Sequence, residues 1–410
     1  MAIIEPRLLK GFRDYDPEEQ SSREAAFSKI RSVFERFGFL PLSTPTLEYK
    51  DILMGKIGED EKLIYSFKDN GERDVAMRYD LTVSLARYIA MNQGSLTLPF
   101  KRYQIGPVWR ADNPQKGRLR EFYQCDVDVV GSDSSLADAE VITCLCKALE
   151  ELGITGYELR INDRRNFSVF GENQVEVTRS IDKMNKIGID GVTDELQKKG
   201  LSGEVIDLAK QVMDGTADLP NRMDLEKLQN QIVALGVSES NIKIDQTIAR
   251  GLDYYSSTVF EIVLKDKPEF GSITGGGRYD SLVDQFSEKS VPAVGGSIGI
   301  DRLFDAMKEL DLIKFENPVK VLVTNWGEEF LETNLKIVSD LRANNINTEF
   351  YYEATPKLDK QLKYAEKKGI PFAVIIGADE MAKGEAQVKD LNARSQQSVA
   401  LNDLAGYFPK

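Results

Sequence analysis

The sequence predicts an α+β fold built on a β-sheet that is interrupted by a helical insertion, followed by a separate C-terminal α/β domain. Three observations lead to this prediction. Residues 121–130 alternate with a period of two, residues 170–240 are rich in helix formers, and strand and helix patterns alternate after Asn317-Pro318. At 410 residues the chain is also too long for one ordinary hydrophobic core.

The first predicted element is a helix that begins after Asp16. Asp16 suits the N-cap, Pro17 suits the first helical position, and acidic residues follow in the first turn. Gly38 ends the helix, and the apolar residues at helical spacing are Phe27, Ile30, Val33, Phe34 and Phe37. This apolar stripe fits either packing against the core of the same chain or a dimer contact.

Residues 121–130 predict a strand with two different faces. The apolar face, which is made for a core, carries Tyr123, Cys125, Val127 and Val129. The other face carries Phe122, Gln124, Asp126 and Asp128. That polar face is interpreted either as a binding surface or as the solvated side of an antiparallel sheet.

Residues 170–240, with breaks at glycines, predict a small helical insertion between two halves of the sheet. Strand and turn patterns return at 247–264 and 271–300. Gly275-Gly-Gly277 lacks the spacing of a dinucleotide-binding or P-loop motif. We therefore interpret these glycines as allowing close backbone approach beside a site.

Residues 318–410 are predicted to form the C-terminal domain, with a mostly parallel sheet. The predicted strands and helices are Val319–Trp326, Glu328–Ala343, Thr348–Tyr352, Lys357–Lys368 and Pro371–Gly377.

Composition limits the class of protein. The net charge is −13, but residues 318–410 carry 12 Lys and Arg against 13 Asp and Glu, so this part repels a polyanion least. An odd number of cysteines, three in all, suits a reducing compartment. The sequence has no run of 18 apolar residues, and its first residues are not a basic stretch followed by an apolar run. We therefore expect a cytoplasmic protein without a membrane span or secretory signal.

Four segments concentrate basic, acidic and phenolic side chains. They are Met77-Arg-Tyr-Asp-Leu-Thr82, Trp109–Gln124, Arg250-Gly-Leu-Asp-Tyr-Tyr255 and Gly299-Ile-Asp-Arg-Leu303. In this order they resemble the histidyl-tRNA synthetases, a class II aminoacyl-tRNA synthetase family, and the resemblance runs from Lys10 to about Val399. It implies a class II catalytic domain on an antiparallel sheet at 1–316, with the insertion at about 170–240, and an anticodon-binding domain at 318–410.

The resemblance implies activation of L-histidine by ATP, accompanied by Mg²⁺, followed by transfer of histidine to the 3′ end of tRNA-His by a homodimer. In activation the amino-acid carboxylate attacks the α-phosphate of ATP. This reaction needs fixed positive charge and accurate positioning of the two substrates. It needs neither a nucleophile from the protein nor a histidine base. A Ser-His-Asp hydrolase and a three-histidine zinc enzyme are excluded, because the chain contains no histidine.

By resemblance, Arg110 and Arg250 are the catalytic residues, both at the α-phosphate, where Arg250 stands in place of the metal ion of other class II enzymes. Arg250 has an alternative role in a salt bridge to Asp253 or Glu261. The ATP-binding set is Arg110, Asp112, Arg118, Phe122 and Arg302, with the loop Pro114–Arg118 sensing the adenine and the tRNA end. Within this set, Phe122 and Arg302 would pack on the two faces of adenine, and Arg118 would bind the outer phosphates.

The histidine-binding set implied by resemblance is Asp80, Thr82, Arg110, Gln124, Asp128, Arg250, Tyr254, Tyr255 and Tyr279. Asp80 and Thr82 match positions at the α-amino group. The phenols and carboxylates suit an imidazole, which offers one donor and one acceptor.

Two other functions fit parts of this pattern. One is a non-catalytic paralogue, such as the regulatory subunit of ATP phosphoribosyltransferase, which resembles only the catalytic portion. The other is a synthetase for a different amino acid, which the segment Arg250–Tyr255 opposes.

The absence of histidine is itself informative. One hypothesis is selection or design, because an enzyme that supplies histidine to translation would otherwise need its own product. Drift in a histidine-poor lineage is the alternative.

Overall fold

The computed structural model describes residues 3–55, 58–114, 117–249, 254–313, 315, 317–353 and 357–408. The chain divides into two compact units. The first comprises residues up to 14 together with 23–313, and the second comprises residues 15–22 together with those from 314 onward.

The first unit combines one large sheet, one small sheet and surrounding helices. Its helices are α1 (Pro17–Arg36, from residue 23 onward), α2 (Lys50–Leu53), α3 (Thr82–Asn92), α4 (Ser135–Glu151), α5 (Gln174–Ile181), α6 (Met184–Lys198), α7 (Gly203–Asp214), α8 (Arg222–Ala234) and α9 (Ile300–Glu309). Its strands are β1 (Leu40–Pro41), β2 (Leu47–Tyr49), β3 (Ser66–Lys68), β4 (Asp74–Met77), β5 (Phe100–Trp109), β6 (Glu121–Val130), β7 (Tyr157–Asp163), β8 (Ile242–Ile244), β9 (Thr258–Leu264), β10 (Ser272–Arg278) and β11 (Ala293–Gly299).

The large sheet is antiparallel through its centre, as predicted. Among the described strands its order is β1-β5-β6-β11-β10-β9-β7-β8, and the pairings between β5 and β7 in this order are antiparallel. The two edge pairings, β1 with β5 and β7 with β8, are parallel. A separate antiparallel sheet has the order β2-β4-β3.

Helix α1 begins as the sequence predicts, because the Asp16 carboxylate accepts a hydrogen bond from the Glu19 amide at 2.8 Å. Its apolar stripe, which includes Phe27, Ile30 and Phe34, is buried in the main core of the first unit. Of the two interpretations of this stripe, packing against the chain's own core is the one observed. Gly38 follows the helix with φ of +77°, a conformation that favours glycine.

Strand β6 separates two environments. Cys125, Val127 and Val129 belong to the main core, together with residues of α1, α4 and α9. On the opposite face Asp126 and Asp128 are only 3% and 2% exposed, so the interpretation of this face as solvated is wrong.

Helices α5 to α8 lie between β7 and β8, in the stretch where the sequence predicts a helical insertion. Helices α5 to α7 share their own apolar cluster, which includes Val177, Val192 and Ile206. Leu225 and Leu228 of α8 instead join the main core. Helix formers alone do not reveal this difference, since it depends on which surface each helix covers.

The second unit is an α/β layer. Its strands are β12 (Val321–Val323), β13 (Thr348–Phe350), β14 (Phe372–Ile375), β15 (Glu385–Asp390) and β16 (Ser395–Ala400), in the order β13-β12-β14-β15-β16. Its helices are α10 (Leu331–Ala343), α11 (Leu358–Lys368), α12 (Ala378–Lys383) and α13 (Leu404–Tyr407). Strands β13, β12 and β14 pair in parallel, but β15 and β16 add antiparallel pairings, so the prediction of a mostly parallel sheet holds for the first three strands alone. Across the described ranges, no helix is at once long and apolar enough to span a bilayer.

Candidate active site

A cavity of about 830 Å³ in the first unit brings together segments that are far apart in the sequence. Its lining includes twelve residues of the predicted ATP-binding and histidine-binding sets: Asp80, Thr82, Arg110, Asp112, Arg118, Phe122, Gln124, Asp128, Tyr254, Tyr255, Tyr279 and Arg302. Arg250, with residues 251–253, and Gln115 and Lys116 of the predicted loop lie outside the described residues. The arrangement therefore joins the described parts of all four segments around one space.

The strand register explains why these side chains meet. Residues on one face of neighbouring strands stand opposite one another. One such row is Arg102, Asp128, Gly295, Gly277 and Val259, and the next is Gln104, Asp126, Ser297, Gly275 and Glu261. The glycines in the middle of these rows leave room for the side chains of neighbouring residues, such as Asp128 beside Gly295.

Close approach at these glycines is present as predicted. A Cβ atom on Gly276 would overlap the carbonyl oxygen of Gly295, and a Cβ atom on Gly295 would overlap the Asp128 carboxylate. Strands β10 and β11 therefore carry glycine because other side chains and backbone already occupy the positions of their Cβ atoms.

Arg110 is held at the end of β5 between two aromatic rings. Its guanidinium carbon lies 4.1 Å from the centre of the Tyr79 ring and 5.0 Å from that of Phe122. Its Nε donates a hydrogen bond to the Tyr79 carbonyl at 3.2 Å. Cation–π contact with two rings, together with this hydrogen bond, orients the guanidinium before any ligand binds, as fixed positive charge at a reacting phosphate requires.

The other ATP-side residues of the prediction lie nearby. Arg118 is half-exposed, and its Nε lies 3.4 Å from the Asp112 carboxylate. Arg302, in the first turn of α9, donates from Nη1 to the Ser272 carbonyl at 2.7 Å. The Asp301 carboxylate beside it accepts from the Tyr123 amide at 2.7 Å, which links α9 to β6 next to Phe122.

Asp80 is a buried carboxylate at the start of α3. One of its oxygens accepts from the amides of Thr82 and Val83, both at 3.0 Å, and the other accepts from the Tyr254 hydroxyl at 3.4 Å. Burial raises the pKa of Asp80, against the lowering effect of these amides and of the Arg110 charge.

Asp128 is held between a phenol and a guanidinium. The Tyr279 hydroxyl donates to Oδ1, and Nη2 of Arg102 lies 2.8 Å from Oδ2. Burial raises the pKa of Asp128, while Arg102 and Tyr279 act in the opposite direction. Arg102 is fully buried, so this ion pair is desolvated and tightly positioned.

The three phenols of the histidine-binding prediction form one cluster. The Tyr254 ring centre lies 4.9 Å from that of Tyr255 and 6.0 Å from that of Tyr279. Burial raises the pKa of Tyr254 and Tyr279 well above the ordinary value, so both phenols stay protonated and can donate.

Gln124 donates from Nε2 to the Ser297 hydroxyl at 3.0 Å. Its buried Oε1 has no hydrogen-bond partner among the described residues. This acceptor faces a cavity and is available to a donor on a ligand.

Sequence reasoning gave no role to three contributors to this site, Tyr79, Arg102 and Ser297, and predicted Asp126 only as one residue of the polar face of β6. Arg102 carried a detectable signal, because Arg102 and Gln104 alternate on β5 as Asp126 and Asp128 do on β6. Ser297 carried none, since a single serine after two glycines is common in strands without any role in binding. Within the described residues, no cluster of carboxylates or thiolates has a metal-holding arrangement.

The arrangement has two chemically different ends. Arg110, Arg118 and Arg302 offer positive charge for a nucleotide, and Phe122 offers an aromatic ring. Asp80, Asp128 and the phenols offer acceptors and donors for a small cationic, hydrogen-bonding ligand. Such a cavity suits a reaction between a polar amino acid and a nucleoside triphosphate.

Comparison with known proteins agrees with this geometry. The histidyl-tRNA synthetase family model matches residues 11–303, and the anticodon binding domain model matches residues 319–410. A protein of Rhodopirellula baltica named histidine–tRNA ligase is 40% identical, over 97% of this chain and 96% of that protein.

Solved structures give the same result. The structure of histidyl-tRNA synthetase from Nostoc sp. PCC 7120 aligns with a TM-score of 0.86 at 32% identity, over 98% of this chain and 99% of that one. A Bacillus halodurans C structure, titled an ATP phosphoribosyltransferase regulatory subunit/histidyl-tRNA synthetase, has a TM-score of 0.73 at 19% identity, over 88% of this chain and 97% of that one, and supports the fold alone. The cavity residues, the two family matches and the near full-length relatives together establish that the chain belongs to the histidyl-tRNA synthetase family.

Proposed function

We propose that this protein is a histidine–tRNA ligase. It activates L-histidine with ATP to form histidyl-adenylate and pyrophosphate, and then transfers histidine to the 3′ end of tRNA-His. The observation that carries the proposal is the single cavity in which Arg110, Asp128 and Tyr279 meet, in a chain of this family.

In the proposed activation step, the histidine carboxylate attacks the α-phosphate while Arg110 and Arg250 neutralise the growing negative charge. The fixed position of Arg110 between Tyr79 and Phe122 supports this role. Phe122 and Arg302 would hold the two faces of adenine, and Arg118 with Asp112 would lie at the outer phosphates. ATP enters with Mg²⁺ as its ordinary substrate form.

The imidazole would lie between Asp128 and the phenols. A neutral imidazole donates from one nitrogen and accepts at the other, which a carboxylate and a protonated phenol satisfy together. Asp80, Thr82 and Gln124 would bind the α-ammonium group, supported by the unpartnered Gln124 Oε1. An amino acid without these groups would leave buried polar atoms unpaired, which gives selectivity without an editing step.

The two domains predicted from the sequence would divide the work, with residues 1–316 as the catalytic domain and residues 318–410 binding the anticodon arm of tRNA-His. The family match at 319–410 and the near-neutral charge of that part of the chain support the second role. A homodimer is also proposed, supported by exposed apolar side chains on β1 to β3, namely Leu40, Leu47, Tyr49 and Phe67. Sedimentation of the purified protein tests the homodimer, and a monomer at assay concentration would contradict it.

The three cysteines, Cys125, Cys144 and Cys146, are buried and unpaired, which supports a reducing compartment such as the cytoplasm. Burial raises the pKa of Cys146 to about 12, so this thiol is not a reactive thiolate.

The decisive experiment is ATP–pyrophosphate exchange with each of the twenty amino acids, followed by charging of tRNA-His. Exchange that depends on histidine alone is expected. Exchange with another amino acid would contradict the specificity, and no exchange at all would favour a non-catalytic regulatory paralogue.

A further inference from the structure

Asp126 is a buried carboxylate that faces the cavity and has no role in the function proposed above. It lies on β6 between Gln124 and Asp128, on the same face, and lines the same cavity. It is 3% exposed, and its Oδ1 has no hydrogen-bond partner among the described residues. A buried carboxylate oxygen without a donor is costly unless a ligand or a proton satisfies it.

Asp126 is joined to the proposed α-ammonium site through one hydroxyl. The Ser297 hydroxyl accepts from Gln124 Nε2 at 3.0 Å, and Ser297 stands opposite Asp126 in the pairing of β6 with β11, where its hydroxyl lowers the pKa of the Asp126 carboxylate. Gln124 Oε1 and Asp126 Oδ1 are therefore two unpartnered acceptors that flank one serine. Asp128 differs in its charge compensation: the Tyr279 hydroxyl donates to Oδ1, and Oδ2, which has no hydrogen-bond partner among the described residues, lies 2.8 Å from the Arg102 guanidinium.

The charges around Asp126 favour a proton on it when the cavity holds no ligand. The charged groups that face it are Arg102 on β5, Asp128 on β6, and Arg78 and Asp80 in the segment after β4, while β11 contributes the neutral Ser297 hydroxyl. Arg102 already pairs with Asp128, so Asp126 shares a guanidinium that another carboxylate uses. Burial, together with the charges of Asp128 and Asp80, raises the pKa of Asp126 to about 7, against the lowering effect of Arg102 and Ser297.

We propose that Asp126 is a substrate-binding residue that accepts a hydrogen bond from the α-ammonium group of the bound amino acid and releases its proton to solvent as that group binds. This inference rests on the proposed function and adds a ligand to its amino-acid site. The proton balance is simple: a neutral carboxylic acid and a free ammonium ion become a carboxylate–ammonium pair and one solvent proton.

The sign of the pH effect follows from this balance. An ammonium group beside the carboxylate lowers the pKa of Asp126 in the complex below its value of about 7 in the free cavity. Affinity for histidine therefore rises with pH through about 7, and binding releases protons. The enzyme contains no histidine, so no side chain of ordinary pKa competes in this range.

The test is calorimetric titration of the full-length protein with L-histidine at pH 7, in buffers of different ionisation enthalpy. The wild-type protein is expected to release about half a proton more than Asp126→Asn, because a group with a pKa of about 7 is half protonated there. At pH 8 the variant should bind histidine roughly tenfold to a hundredfold more weakly, the usual effect of losing a charged hydrogen bond. Titration of the imidazole of the ligand is common to both proteins and cancels in the difference.

Asp182→Asn is the matched control, because Asp182 lines the outer part of the same cavity, is exposed, and loses the same charge. It should leave the proton release at the wild-type value. Ser297→Ala is the second variant, and it should move the midpoint of proton release to higher pH because it removes the hydroxyl that lowers the pKa of Asp126. Equal proton release in wild type and Asp126→Asn, or equal affinity at pH 8, would overturn the inference while leaving the proposed ligase intact. A wild-type protein that does not bind histidine at all would instead overturn both.

Discussion

Gly295 offers a sharp test of how the sheet positions the proposed imidazole site. A Cβ atom at this position would overlap Oδ1 of Asp128, lie 2.6 Å from its Cγ, and lie 3.1 Å from the Val127 carbonyl oxygen. Because β11 is paired on both sides, the backbone of Gly295 cannot retreat from β6. In Gly295→Ala the Asp128 carboxylate therefore has to turn away.

Turning Asp128 away breaks its hydrogen bond from Tyr279 and its ion pair with Arg102. The loss of one charge-assisted hydrogen bond is about 1.5–3 kcal/mol, which corresponds to roughly tenfold to a hundredfold in kcat/KM for histidine. The KM for ATP should change little, because the atoms nearest to the added Cβ belong to Asp128 and Val127 and not to the proposed ATP-binding residues.

The assay is ATP–pyrophosphate exchange with histidine and ATP varied separately. Gly299→Ala is the matched control on the same strand, since its Cβ would meet its nearest neighbour, the Ile273 carbonyl oxygen, at an ordinary 3.8 Å. A Gly295→Ala enzyme with wild-type kcat/KM for histidine would refute the reasoning. So would an equal loss in Gly299→Ala.

Three further predictions follow from other parts of the structure. Arg110→Lys should lower kcat about a hundredfold to a thousandfold in pyrophosphate exchange, because a lysine ammonium is a point charge that cannot reproduce the planar contact with Tyr79 and Phe122; retained activity would show that charge alone suffices. Arg23→Met should reduce the free energy of unfolding by about 3–5 kcal/mol in chemical denaturation, because it removes the guanidinium that lies 2.8 Å from the buried Asp301 carboxylate. Arg36→Met on the same helix should cost less than about 1 kcal/mol, because the ion pair of Arg36 with Glu151 is largely exposed. Finally, a translation mixture without histidyl-tRNA synthetase and charged tRNA-His should produce this histidine-free chain and then make a histidine-containing reporter; a purified product that cannot charge tRNA-His would rule out the hypothesis that the enzyme bootstraps its own supply.

Local patterns in the sequence predicted the elements whose cause is local. Asp16 and Gly38 mark the ends of α1 because capping and positive φ depend on neighbouring residues. The alternation in β6 predicted one apolar face, because side chains of a strand point to opposite sides by geometry alone. The same local signals predict only that α8 is a helix within residues 170–240. Its packing on the main core is not local, because its apolar side chains cover α4.

The sequence by itself determined which side chains are present and, through the family motifs, that they belong together. Only the tertiary structure decided how they act. Register across β5, β6 and β11 places Arg102 against Asp128 and Ser297 against Asp126, whose Oδ1 has no hydrogen-bond partner among the described residues. The physical reason is that burial and pairing, which set the charge of a carboxylate, arise between strands that are distant along the chain, and no local pattern encodes them.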